Sequence, residues 1–247
     1  MATRRAHMAS FPERQHVLPA ALRSIEPQVD EIYLVLNEFG EIPSLLAEFR
    51  KVHAILAGED FKDVGKFVTR PADEDHVFFV DDDLCYASGY CDWVTQRAEA
   101  IGLETNVFGL HASIYRRTDG ADAKSRKIFH YRRPLRQTIY VDQVATNSTF
   151  AIGKNVPPLE YMRGSQKFVD VRYAKWCYEN NLKQIALARP FNLARPLRHG
   201  GETIYRSFTV ASPMHVLDEI RSFAGNSQLV GQRIGRRLGV LQMLRAA

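Results

Sequence analysis

The sequence predicts an α/β protein: a mixed, mostly parallel central sheet flanked by helices on both faces. Apolar runs of strand length, rich in Val, Ile, Tyr and Phe, recur along the chain. Amphipathic helical patterns separate them, and that alternation places a mostly parallel sheet between helical layers. The composition agrees. Of 247 residues, 45% are hydrophobic and 25% charged, which suits one domain spanning 1–247 and excludes a mostly disordered chain.

The elements follow in chain order. A weak strand pattern at 4–9 precedes a helix at 15–25. A strand at 31–37, a helix at 44–52 and strands at 54–57 and 76–80 come next. The clearest helix covers 89–101, where Tyr90, Trp93, Val94, Ala98 and Ile101 share one face. Ser88 is its expected N-cap and Gly102 its C′ residue. Strands are expected at 106–115, 137–145 and, more weakly, 184–188. Helices are expected at 168–180 and 213–223, and Trp93 and Trp176 fall on helices as core residues. Residues 118–127 and 153–166 read as loops. At 232–245, Arg233, Arg236, Arg237 and Arg245 alternate with Ile234, Leu238, Leu241 and Leu244 in the pattern of a basic amphipathic C-terminal helix.

Charge and cysteine content narrow the function classes. A net charge of +5 and a pI near 9.1 point to an anionic partner: a nucleotide, a nucleic acid or a membrane surface. Three cysteines, Cys85, Cys91 and Cys177, make no disulfide framework and no zinc spacing, so a reducing cytoplasm is expected. Apolar runs such as 32–36 are too short to cross a bilayer. No apolar segment follows Arg4 and Arg5, so no secretory signal is expected.

The segment from His76 to Leu84 carries the chemistry. A buried strand pattern, His-Val-Phe-Phe-Val, runs straight into Asp81, Asp82 and Asp83. Ligands of open α/β sheets bind at the carboxyl ends of strands. Three adjacent carboxylates repel one another unless solvated or neutralised, and Asp81 and Asp83, two apart in extended chain, point the same way. Hard divalent cations take oxygen ligands of this kind.

Other pieces stand in order around that motif. They are Ala9-Ser-Phe-Pro-Glu-Arg14, Ser24-Ile-Glu-Pro-Gln28-Val-Asp30, Tyr33-Leu-Val-Leu-Asn37, Asp63-Val-Gly65-Lys66-Phe67 and, after the aspartates, Tyr86 and Gly89-Tyr90. Together they make the sequence resemble a glycosyltransferase of the Rossmann-related GT-A fold. It is most similar to bacterial family 2-like enzymes that build capsular, exopolysaccharide or lipopolysaccharide glycans. The resemblance implies that residues 1–105 bind a nucleotide-sugar, a UDP-sugar being favoured, and that 106–231 face the acceptor. It makes Asp81–Asp83 a DXD-type motif. Asp81 would lie near the donor ribose and, with Asp83, hold Mn²⁺ or Mg²⁺; Asp82 is placed with the donor site. Ser10, Phe11, Arg14, Asn37, Asp63 and Lys66 follow the first three strands, where the nucleobase and phosphates would sit.

Inverting transfer needs a general base near the acceptor hydroxyl. The resemblance implies a carboxylate opening a late helix, and Asp170 fits that place; His111, at a strand end, is the other candidate for base or acceptor contact. Val169 stands where these enzymes carry a second acid, and the Gln-x-x-Arg-Trp motif of processive synthases is absent, which argues against a processive polymerase. Asp142 and residues 145–149 resemble the segment beneath the acceptor, without its glycines. His199 and His215 read as surface residues. A nucleotidyltransferase would carry a glycine-rich loop after the first strand, where this chain has none. A basic module binding nucleic acid or membrane through Arg132, Arg133 and Arg136 leaves the aspartates unexplained. The expected partners are therefore a nucleotide-sugar and a glycan or lipid-linked acceptor, with no nucleic acid. Peripheral contact with the inner face of a membrane is expected through the basic C-terminus.

Overall fold

The computed structural model describes residues 2–115, 125–198 and 213–234. A parallel unit comes first: β1 (Arg4–Ser10), α1 (Leu18–Ile25), β2 (Glu31–Leu36), β3 (Val52–Leu56) and β4 (His76–Val80). β5 (Leu84–Tyr86), α2 (Tyr90–Glu99), β6 (Asn106–Gly109), β7 (Ala112–Tyr115) and β8 (Arg126–Phe129) follow. β9 (Thr138–Val141), β10 (Gln143–Val144) and β11 (Ser148–Ile152) lead into α3 (Leu159–Met162) and α4 (Val169–Glu179). β12 (Lys183–Ala186), β13 (Ala194–Pro196), α5 (Met214–Phe223) and β14 (Arg233–Ile234) complete the described chain.

Nine strands form the central sheet in the order β14-β9-β12-β6-β11-β4-β1-β2-β3. Their pairings make β9 and β11 the two strands that oppose the rest. A three-stranded sheet, β10-β7-β8, and a ribbon, β13-β5, lie outside it. β1 pairs with both β2 and β4, so the chain leaves β1 in one direction and returns on its other side. That reversal opens a crevice at the carboxyl ends of β1 and β4.

β4 is buried on both faces, and its residues split between two cores. Phe78 and Val80 join α1 and α2 through Leu18, Leu22, Tyr90 and Val94. Val77 and Phe79 join α3 and α4 through Met162, Val169 and Tyr173. This two-sided burial is why the segment reads as an unbroken apolar run.

Several sequence expectations are corrected. The helix expected at 44–52 is a five-residue 3-10 turn, Ser44–Glu48, because Phe49 turns extended and buries in the core. The strand expected at 106–115 breaks between β6 and β7, which belong to different sheets. The strand expected at 137–145 breaks likewise at Asp142, whose carboxylate accepts Tyr115 N at 2.8 Å and Gly225 N at 3.1 Å. Gly109 permits the first break: a Cβ there would lie 2.8 Å from Val144 Cβ. β11, read as part of a small-residue segment, is a central strand whose Ser148 and Thr149 hydroxyls serve backbone groups. The loop expected at 153–166 contains a 3-10 turn and α3.

Gly89, at φ 76°, caps α2 in place of Ser88; Ala100 is the C-cap, which puts Gly102 one position beyond C′. At the C-terminus, Arg233 and Ile234 form a strand against β9 where a helix was expected, and the rest of that pattern, 235–247, lies outside the described residues. Residues 116–124 of the expected loop also lie outside them, while 126–127 begin β8. Among the described residues, no helix is long and apolar enough to cross a membrane.

Candidate active site

A cleft of about 560 Å³ lies over the carboxyl ends of β1, β2 and β4. It brings together Phe11, Arg14, Asn37, Asp63, Lys66, Asp81, Asp82, Asp83, His111 and Asp170. Ser10 is fully buried beneath it and donates from Oγ to Asp82 Oδ2 at 2.6 Å. That bond ties the end of β1 to the loop after β4, across the point where the chain reverses.

Each aspartate of the motif has a protein partner. Lys66 Nζ pairs with Asp81 Oδ1 and also donates to Thr146 O at 3.0 Å. Arg14 Nη1 pairs with Asp83 Oδ2 at 2.5 Å and lies over the Phe11 ring. The Tyr86 hydroxyl accepts Asp81 N at 2.9 Å and donates to Asn147 O at 2.7 Å, fixing the backbone where the motif begins. Burial pushes Asp82 up to about 7 against the pull of Ser10, with Asp83 adding to the rise. Burial raises Asp81 as well, opposed by Lys66. For Lys66, burial works against the charge, but Asp81 outweighs it and holds the amine above its ordinary range.

Asn37 and Lys66, expected at the nucleotide, line the cleft and also hold protein groups. Asn37 is buried; its amide donates to Lys62 O at 3.0 Å and its Oδ1 accepts Phe61 N at 3.0 Å. It fastens the loop after β3 to the end of β2. The Lys66 side chain is 4% exposed and is engaged by Asp81 and Thr146, because residues 62–67 fold back over β1. Asp63 Oδ1 accepts Lys167 N at 2.6 Å, and burial, with Asp170 adding, pushes it up to about 7.

Asp170 lies in the first turn of α4, where the helix dipole favours a carboxylate. Its Oδ1 accepts both Thr146 N, at 2.8 Å, and Thr146 Oγ1, at 2.9 Å. Thr146 thus joins Asp170 to Lys66 and, through it, to Asp81. His111 packs its ring against His130 and Tyr131, and burial, then the neighbouring His130, Arg126 and Arg189, push it down to about 3. It is a neutral imidazole in the cleft. Asp142 lies off the cleft in a backbone-bonded turn. His215 is exposed on α5 against the Phe168 ring; His199 lies outside the described residues. Arg126, Lys167, Lys62 and Gln143 also line the cleft and carry no motif signal in the sequence.

Among the described residues, no three His, Cys, Asp or Glu side chains form a ready metal cluster. The donor set nonetheless suits a hard cation. Residues 9–83 contribute seven carboxylates to the cleft against three cationic side chains, and burial, with Asp83 adding, raises Asp81 and Asp82, so a cation bound there would offset the excess negative charge.

No protein-family model matches the chain, and no curated protein matches its sequence. Solved structures do resemble its fold. S. aureus TarS 1–349, crystallised in complex with UDP-GlcNAc, superposes with a TM-score of 0.55 at 10% identity, over 92% of this chain and 68% of that chain. A second TarS structure matches at 0.47 and 8% identity, over 90% of this chain and 44% of that one. The first likeness shows the fold: a GT-A-like α/β architecture with a large central sheet.

Proposed function

We propose that this protein is a glycosyltransferase that moves a sugar from a nucleotide-sugar, a UDP-sugar being favoured, to a glycan or lipid-linked acceptor with inversion. The observation that carries this reading is the placement of Asp81–Asp83 at the carboxyl end of β4, in one cleft with Asp170. The fold likeness to TarS bound to UDP-GlcNAc supports the donor class.

In this reading the wall built by β1, β2 and β4 receives the nucleotide, and Phe11, with Arg14 against its ring, borders that end. Asp83 and Asp81 would hold Mn²⁺ or Mg²⁺, which when bound supplies positive charge against the leaving diphosphate. Asp170 takes the proton of the acceptor hydroxyl. Thr146 occupies its Oδ1 with two donors and so fixes the carboxylate's orientation. His111, held neutral, accepts or donates a hydrogen bond to the acceptor.

Thermal unfolding against UDP, GDP, CMP and dTDP, each with and without Mn²⁺, tests the donor site. A ligand at a hundredfold excess over its Kd stabilises by about 2.7 kcal/mol. The expected result is a metal-dependent rise of several degrees with UDP that Asp83→Ala removes. A well-folded protein that responds to none of the four would overturn the reading. Asp170→Asn is expected to keep the UDP shift while transfer falls about 10²–10⁴-fold; undiminished transfer would remove Asp170 as the base.

A further inference from the structure

The two walls of the cleft carry different charge balances. On the wall of residues 9–83 all three cations are matched to aspartates: Arg14 to Asp83, Lys62 to Asp60 and Lys66 to Asp81. The wall of residues 111–170 contributes two cations, Arg126 and Lys167, against one carboxylate, Asp170. Among the described residues, neither Arg126 nor Lys167 forms an ion pair with a carboxylate.

Arg126 is held in place rather than loose at the surface. It is half-buried on β8, and its Nη1 donates to Tyr115 Oη at 3.3 Å. That hydroxyl is itself fixed by donating to Gln143 Oε1 at 2.5 Å, on the neighbouring strands of the same small sheet. Tyr115 is buried, so the guanidinium rests on a rigid support. A half-buried cation with neutral partners retains an unmet demand for negative charge, and a guanidinium matches carboxylate or phosphate oxygens two at a time. Lys167 lies three residues before Asp170, with its backbone N–H fixed by Asp63.

We propose that this wall binds an anionic group of the acceptor, a phosphate or a carboxylate, through Arg126 with Lys167 as the second cation. The acceptor is then a saccharide that carries a phosphate or a carboxylate, and its anion anchors it beside Asp170. The inference rests on the glycosyltransferase reading in assigning this wall to the acceptor. The competing source of the anion is the diphosphate of the donor.

Binding of glucose 6-phosphate, glucuronate and glucose, followed by ligand-observed NMR with UDP and Mn²⁺ present, separates these cases in wild type, R126Q, R126K and K167Q. UDP affinity is measured in parallel by calorimetry. Wild type is expected to bind both anionic probes on the order of tenfold more tightly than glucose. R126Q is expected to lose most of that preference, K167Q part of it, and R126K to keep part, each with UDP affinity within about twofold of wild type. Equal binding of the three probes by wild type, or a preference that survives in both R126Q and K167Q, overturns the proposal. A UDP affinity about tenfold weaker in R126Q assigns the cations to the donor and also overturns it. A wild type that binds no UDP yet prefers the anionic probes through Arg126 leaves the anion site standing and removes the nucleotide-sugar reading.

Discussion

Lys66 is a buried charge whose value depends on its partner. Its side chain is 4% exposed, while the paired Asp81 is 33% exposed and keeps some contact with water. Breaking a buried pair leaves an uncompensated ion, so Asp81→Asn, which strands the buried Lys66 ammonium, is expected to cost about 3–5 kcal/mol, and Asp81→Asn with Lys66→Met much less. Urea midpoints of the two variants check this; a single variant as stable as wild type would show that the pair contributes nothing. Two histidines and two aspartates push the stability in opposite directions as pH changes. Burial pushes His7 down to about 4, so between pH 6.5 and 4 the unfolded chain takes a proton that the folded chain refuses. Stability is lost through that window as pH falls, on the order of 3 kcal/mol for His7. Asp63, pushed up to about 7, works the other way: the folded chain keeps a proton that the unfolded chain releases near 3.8, and stability is lost as pH rises toward 7. His111 and Asp82 repeat the opposition. Wild type is therefore expected to hold a nearly constant urea midpoint from about pH 4.5 to 6.5, a range set by the two shifts. His7→Phe should gain stability on acidification, and Asp63→Asn should lose it. Matching slopes in all three proteins would refute the assignment. The aspartates were legible in the sequence because they interrupt an apolar run. The engagement of Lys66 and Asn37 was not, because it depends on residues 62–67 folding back over β1.

At the scale of elements, close backbone approaches decide which glycines matter. A Cβ on Gly153 would lie 1.8 Å from Ala72 O, where the end of β11 meets the loop before β4. Gly153→Ala is expected to cost at least the roughly 1–3 kcal/mol typical of overpacking, seen as a drop in Tm. At Gly58 a methyl group would meet nothing within 4 Å, and its φ is not left-handed, so Gly58→Ala should be neutral or stabilise by about 0.4–1 kcal/mol. Equal behaviour of the two variants would contradict this account of the turn. The same kind of approach explains which strands could be read. β2 and β4 announce themselves through unbroken apolar runs, and α2 and α4 through their helical period. The breaks inside 106–115 and 137–145 were hidden because both halves of each run are apolar, and only the contact of Gly109 with Val144 and the bonds to Asp142 separate them. β11 was hidden because its first residues, Ser148 and Thr149, look polar while their hydroxyls are spent on buried backbone.

Across the whole molecule, the cleft is a product of connectivity. The first wall is finished once β4 has returned beside β1, and the Ser10–Asp82 bond closes it. The second wall needs residues 111–170, from the small sheet and the start of α4. The sequence showed the first wall in order because its pieces follow consecutive strands. It showed less of the second, where Arg126, Gln143 and Lys167 converge from separate elements. The antiparallel β11 has one more consequence, which concerns the order of events during synthesis. β4 takes β11 as its outer neighbour, and β11 in turn receives β6, so the middle of the nine-stranded sheet is joined by a strand made well after both of its neighbours. A ribosome that has translated β4 and β6 but not β11 carries a four-stranded parallel sheet whose open edge is the apolar segment Val77–Val80. An unpaired apolar edge is a template for mispairing with other chains. The yield of correctly folded protein is therefore expected to rise when translation through residues 80–150 is fast or a chaperone shields that edge, with the soluble fraction from synchronised translation as the measure.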